Sequence, residues 1–314
     1  MAAGDLETTV KQAVAALAGN AASARFGVAV SGGPDSMALL DLAARAFPDR
    51  VEAATVDHGL REASAAEAAM VAHWCGQAGI AHATLHPEGA VRGNVQSWAR
   101  TQRYRLLERW RVGRGLDWLL TAHHADDQLE TLLMRLNRGA GVGGLASVRA
   151  RQGVVLRPLL AARKADLLDH AQARGLPFAE DPSNSDPRFD RAALRTALSQ
   201  VDWIDVAAAG RSAAALAEAE EALDWTVEGL EVRHVHADGD GLTLDCTDFP
   251  RELLRRLVLR MIIRLLPDAG APRGEALDRA IAAARQGEKV SLGRVVLKGG
   301  ARWTVRIAPA RRWQ

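Results

Sequence analysis

Phe26-Gly27-Val28-Ala29-Val30-Ser31-Gly32-Gly33-Pro34-Asp35-Ser36-Met37-Ala38-Leu39-Leu40 reads as an apolar strand, a paired-glycine turn between two serines, and the opening of an apolar helix. That order is a phosphate cradle. Gly32 and Gly33 permit backbone conformations and close approaches that a Cβ blocks, and their amides converge with the unpaired N–H groups of a helix start. Pro34 suits the first helical position, where a missing N–H costs nothing. Ser31 and Ser36 add hydroxyl donors. Asp35 is the odd member, because a carboxylate beside a phosphate repels it unless a cation lies between, so a Mg²⁺ held by Asp35 is implied.

The loop has neither the lysine nor the spacing of a Walker A sequence. It resembles instead the SGGxDS loop of the ATP pyrophosphatase (PP-loop) superfamily, whose members cleave ATP between the α and β phosphates and adenylate a carbonyl oxygen. The plain alternative is a tight strand-to-helix turn with no ligand, which needs fewer special residues than are present here.

The 314 residues, 48% hydrophobic and 25% charged, suffice for two globular domains. The densest apolar stretch, 257–266, is broken by Arg260 and Arg264, which predicts an amphipathic helix and no membrane span. The opening residues carry neither a basic nor an apolar signal region, so the expected location is cytoplasmic. Cys75 and Cys246 are the only cysteines and supply neither a disulfide framework nor a CxxC pair. The net charge is only +2, carried by arginine with lysine at 11, 164, 289 and 298 alone. Arginine grips phosphate bidentately, although a GC-rich genome produces the same bias.

Between 22 and 160, short β-like runs at 25–30, 51–56, 80–85, 117–121 and 153–156 alternate with helical stretches at 36–46, 62–78, 94–111 and 125–137. The expected fold is α/β, a Rossmann-like parallel sheet covered on both faces. Helices are expected at 161–174 and 188–200, and the domain is expected to end at 200. The remainder, 201–314, is expected to form a second, mostly helical domain closing in a short β tail that contains no acid after Lys289. Ligands of a parallel sheet gather at the carboxyl ends of its strands, which sets SGGPDS, DHGLR at 57–61 and TAHHADDQLET at 121–131 on one rim.

Asp127 and Glu130, three apart at a helix start, share a face and suit an ammonium or a metal, or else the helix dipole. His123 and His124 are adjacent, a poor spacing for two zinc ligands. Helix 94–111 interleaves Arg100, Arg103, Arg105, Arg109 and Arg111 with Trp98, Tyr104 and Trp110. That suits phosphates and unstacked bases, or a buried aromatic stripe with a solvated basic face.

The ordered set SGGPDS, DHGLR, ARTQRY at 99–104, TAHHADDQLET, RGAGVGGL at 138–145, RPLL at 157–160 and EDPSN at 180–184 resembles the tRNA(Ile)-lysidine synthetase family over about 22–200. It departs at Arg191-Ala192, where the family usually has Arg-Asn ahead of an arginine corresponding to Arg195, and its C-terminal half is shorter than in the long members. The resemblance implies an ATP-dependent ligase. ATP adenylates C2–O of the wobble cytidine of a CAU-anticodon tRNA(Ile), and free L-lysine then displaces AMP to form lysidine. It also implies that Ser31, Gly32, Gly33, Pro34, Asp35, Ser36 and Arg61 bind ATP and that Asp35 holds Mg²⁺. Asp127 and Glu130 then position or deprotonate the lysine amine. Arg100, Arg103, Arg138, Arg157, Arg191 and Arg195 are the expected partners of ATP or RNA phosphates. The basic tail, with Arg302, Arg306, Arg311, Arg312, Trp303 and Trp313, is a candidate tRNA track or a protected β edge. The oligomeric state is left open, a homodimer included. The rival reading is another PP-loop adenylating enzyme such as a tRNA thiolase, against which the lack of paired cysteines counts.

Overall fold

The computed structural model describes residues 3–19, 21–60, 63–89, 91, 93–179, 190–268, 270, 272 and 274–308. Its first elements are α1 (Ala3–Ala18), β1 (Phe26–Ala29), α2 (Pro34–Ala46), β2 (Val51–Val56), α3 (Ala63–Ala78), β3 (His82–Leu85), α4 (Val95–Arg114) and β4 (Trp118–Leu120). There follow α5 (Ala125–Asn137), α6 (Val142–Leu145), β5 (Arg151–Gln152), β6 (Val155–Leu156), α7 (Lys164–Ala173), α8 (Asp190–Leu198) and α9 (Val206–His234). The sheet order is β3-β2-β1-β4-β6-β5, parallel throughout except for β5, which pairs antiparallel with β6. Phe26 is registered with Val51 on one side and Trp118 on the other, so the strand order reverses beside β1. This is the topological switch point at which ligands of open parallel sheets bind.

Burial explains why these segments pair. β1 and β2 are buried along nearly their whole length, as strands covered by helices on each side must be, and the one charge in them, Glu52, is paired with Arg25 and Arg114. Helix α2 buries Met37, Leu39, Leu40 and Leu42 completely against the sheet. On the other face Trp110 of α4 packs onto β1, where a Cβ at Gly27 would lie 2.6 Å from the indole ring. Trp110 is therefore core, and glycine at 27 is what lets it approach. A buried polar lock joins α2 to α7, with His170 Nε2 2.9 Å from Asp41 Oδ2 and Arg174 on the same carboxylate. The helix α1 was absent from the sequence expectation, although Leu6, Val10 and Val14, spaced by four, form its buried stripe.

Two compact units are present, Met1–Ala217 and Glu218–Gln314. The division lies inside α9, further along than the expected 200/201, because Val206 and Ala209 pack with Ala125 and Leu129 of α5. The second unit adds β7 (Val235–Asp238), β8 (Gly241–Leu244), α10 (Arg251–Leu265), α11 (Gly274–Arg285), β9 (Lys289–Leu292), β10 (Val295–Lys298) and β11 (Trp303–Ile307). Its strands form one antiparallel sheet, β7-β8-β11-β10-β9, under the two helices. The tail strand β11 is thus interior rather than an edge. Trp303 is 1% exposed, which removes it as a base-stacking group, and Arg306 is held by Asp238 and Asp240. Arg311, Arg312 and Trp313 lie outside the described residues. Trp303→Ala is expected to cost about 3–5 kcal/mol through the cavity it leaves, read as a fall in the urea midpoint of unfolding. Among the described residues no helix is long and apolar enough to cross a membrane.

Candidate functional site

The carboxyl ends of β1, β2 and β4 open into a cavity of about 570 Å³. Its floor is the turn after β1. Gly32 adopts φ +87°, a left-handed conformation that strains any residue with a Cβ, and Gly33 caps α2 with Pro34 following it. Ser36 Oγ accepts from the Ser31 amide at 3.1 Å and donates to the Gly33 carbonyl at 2.9 Å, which fixes the curl of the turn. Ser31, Gly33, Asp35 and Ser36 all line the cavity. Asp35 Oδ1 is buried without a hydrogen-bond partner, an orphaned carboxylate oxygen at the start of a helix.

Asp127 faces the same space from α5. It is placed by a capping box in which its carboxylate accepts from the His124 amide and the His124 ring accepts from the Asp127 amide. His124 is 2% exposed, and its Nε2 lies 3.5 Å from both Asp35 Oδ2 and Asp127 Oδ2. Burial alone lowers its pKa. The hydrogen bond to Asp35 and the charges of Asp127, Asp35 and Asp126 outweigh that and raise it. The imidazole therefore ties the two cavity acids together, a role its position in the sequence did not disclose.

Glu130 does not line the cavity. It is 3% exposed and forms a bidentate pair with Arg195 of α8, whose Nη2 is 3.0 Å from Oε2 and 3.7 Å from Asp127 Oδ1. Asp35 and Asp127 are thus brought together at the cavity, and Glu130 stands behind them.

Another wall comes from α4, with Arg100, Arg103 and Leu107, from Val56 at the end of β2 and from His58 in the loop after it. Asp57 is a turn former, its Oδ1 accepting from Ser64 Oγ and the Gly59 amide, contacts that hold its pKa down. Arg61 lies outside the described residues, as does the EDPSN segment. Trp98 is half-buried beside His58, with ring centroids 6.1 Å apart. Arg138 and Arg157 line a second cavity next to the first, while Arg191 lines both. Arg135 and Arg149 line the second one too and were missed, although Thr131, Arg135 and Arg138 share a face of α5 at a spacing of four and three. Gln128 positions Arg149 by clamping Val148, accepting from its amide at 2.7 Å and donating to its carbonyl at 2.9 Å.

His123 sits between the cavities, with Nδ1 3.1 Å from Thr121 Oγ1. Burial, then the charges of Arg157, Arg103, Arg100 and Arg191, push its pKa down to about 3. The unfolded chain binds this proton near pH 6.5 and the folded chain only near 3, so the group removes stability as pH falls through that window and has no effect above it. His123→Gln is expected to flatten the acid limb of stability by up to one proton. Urea midpoints taken in steps across the window measure it, and an unchanged slope refutes it.

Residues 6–201 match the PP-loop domain family. A tRNA(Ile)-lysidine synthase of Zymomonas mobilis is 39% identical over 96% of this chain and 94% of its own length. One of Novosphingobium aromaticivorans is 43% identical over 92% and 91%. Among solved structures, the U34-tRNA thiolase NcsA of Methanococcus maripaludis matches with a TM-score of 0.56 at 18% identity, over 68% of this chain and 80% of that one, a likeness of fold. The glycine loop, the acids beside it and the sequence likeness along nearly the whole chain agree: the chain belongs to the tRNA(Ile)-lysidine synthase family of PP-loop proteins.

Proposed function

We propose that this enzyme joins L-lysine to C2 of the wobble cytidine of CAU-anticodon tRNA(Ile), consuming ATP and releasing AMP and pyrophosphate. The observation that carries the reading is the meeting of the glycine loop, Asp35 and Asp127 in one cavity at the switch point of the sheet. The Ser31, Gly33 and Ser36 corner and the α2 N-terminus bind the phosphates of ATP. The apolar wall of Ala54, Val56 and Leu107 accommodates the flat base of the nucleotide.

The cytidine O2 attacks the α phosphate, and the bond to the β phosphate breaks with loss of pyrophosphate. The lysine ε-amine then attacks C2, and the C2–O bond breaks with loss of AMP. Asp127 accepts the proton that the amine sheds, and His124 holds that carboxylate beside Asp35. The orphaned Asp35 oxygen fits a hard cation. Asp35, with Asp127 beside it, would hold Mg²⁺, whose charge offsets that of the phosphates. Among the described residues no three acids, histidines or cysteines surround a metal position, and a Mg²⁺ completed by phosphate oxygens needs fewer. Cys75 is fully buried with its thiol pushed up to about 11, a poor sulfur carrier, which favours ligation over thiolation.

Transfer of labelled lysine to a transcript of this tRNA, with ATP and Mg²⁺, tests the reading. One AMP per lysine incorporated is expected. Absence of labelling by the folded protein overturns it.

A further inference from the structure

No residue of α7 lines the first cavity, yet both ends of this helix bind the helices that carry the two cavity acids. At its N-terminal end, Asp126 of α5 accepts from the Lys164 amide at 2.8 Å and from Arg163 Nη2 at 3.2 Å. The Ala125 amide adds a bond to the Ala162 carbonyl. At its C-terminal end, Asp41 of α2 lies 2.9 Å from His170 Nε2 and accepts from Arg174 Nε and Nη2 at 3.4 Å. Arg163 and Arg174 are the caps of the helix, and Leu167 and Ala171 between them are fully buried. The third side is the site itself. Asp35 belongs to α2 and Asp127 to α5, and His124 Nε2 lies 3.5 Å from an oxygen of each, with its Nδ1 3.6 Å from Asp126. These contacts close a ring that runs from Asp35 through His124 and Asp126 to α7, and back along Asp41 to α2.

Stability alone does not account for the lock between α7 and α2. Asp41 and His170 are each 4% exposed, and His170 Nδ1 is buried without a hydrogen-bond partner. Apolar side chains of similar volume would fill the place without that unpaired nitrogen, and such replacements are commonly as stable as the polar pair. What the hydrogen-bonded pair supplies beyond packing is register, because it fits at one displacement of α7 along α2. A hydrogen-bonded helix of 10 residues has a fixed rise, so the two locks stand at a fixed distance. We propose that α7 is a strut, with Asp126 and His170 as positioning residues, that sets the separation of Asp35 and Asp127 for the Mg²⁺ that accompanies ATP. This rests on the Mg²⁺ site and the ligation reading above.

The test is equilibrium binding of ATP, with and without Mg²⁺, to the full chain and to Asp126→Ala, His170→Leu and the double variant. The readout is the ratio of the two Kd values, which reports the metal site apart from the phosphate loop. Each single variant is expected to lower that ratio about tenfold, the usual effect of removing a group that orients metal ligands, with little change in Kd without Mg²⁺. The double variant should also lose about tenfold, because a ring opened once is open, whereas two independent contacts at opposite ends of α7 would add to about a hundredfold. His170→Gln, which keeps an N–H for Asp41, should recover most of the loss. If His170→Leu does not fold, Arg174→Gln takes its place at the same lock, where the arginine side chain is 44% exposed. Additive losses overturn the proposal, as does a fall in the urea midpoints with an unchanged Kd ratio, the result of a purely structural role. A wild type whose ATP affinity ignores Mg²⁺ overturns it too. A wild type that shows the non-additive pattern among its variants yet transfers no lysine refutes the ligation reading and leaves the strut standing.

Discussion

Asp35→Asn and Asp127→Asn are each expected to lower kcat/KM for lysine transfer by about 10²- to 10³-fold, the effect of removing one preorganised charge from a reacting centre. Both carboxylates line the cavity at the carboxyl ends of β1, β2 and β4, and both lie 3.5 Å from the same buried His124 nitrogen. An asparagine preserves shape and some hydrogen bonding, so the loss reports charge. The two substitutions should separate in single-turnover experiments. Asp35→Asn acts on the phosphate side of the cavity and should slow release of pyrophosphate as well as lysine transfer, with a raised Mg²⁺ requirement. On the proposed mechanism, in which the Asp127 carboxylate accepts the proton of the attacking amine, Asp127→Asn should allow adenylated tRNA to accumulate. Wild-type rates in either variant would remove that acid from the mechanism.

Glu130→Ala should be the more damaging change to the fold. It leaves the Arg195 guanidinium facing a site that excluded water on the Glu130 side, where the carboxylate is 4% exposed. Removing one partner of a buried pair costs about 3–5 kcal/mol, and the lower end applies because Arg195 is 30% exposed. The urea midpoint should fall accordingly. Glu130→Leu combined with Arg195→Met replaces the pair by apolar side chains of similar volume and should recover most of the stability. Lysine transfer in this double variant then distinguishes two roles. Recovery with stability makes Glu130 a support for Asp127 and α8, whereas persistent loss with restored stability places its charge in the chemistry.

Local residues carried much of this in the sequence. The run 26–40 has only one economical conformation, because its apolar residues pair as a strand, Gly32 takes a left-handed φ, and Pro34 starts a helix. Alternation of apolar runs and helical stretches then leads to a parallel sheet whose strand ends gather the polar motifs. The α4 aromatics were ambiguous for a physical reason: Trp110 and Trp98 have the same composition around them, and only the absence of a side chain at Gly27 makes room for one of them in the core.

Whatever depends on a charge meeting its partner across the chain was decided by tertiary structure. Asp127 and Glu130 share a helix face, yet Arg195, 65 residues beyond Glu130, takes one of them out of the cavity. Arg135 and Arg149 draw no notice in the sequence, and they join Arg157 in lining the second cavity because Gln128 draws the loop at 148 against α5. Trp303 in a basic tail reads as exposed until β11 is found between β8 and β10. The sequence by itself determined the phosphate loop, the α/β alternation and the family, since backbone conformation and hydrophobic period are local properties. Which acid lines the cavity, which acid pairs with Arg195 and which tryptophan is core were settled only by packing, because burial and ion pairing depend on residues brought together from distant parts of the chain.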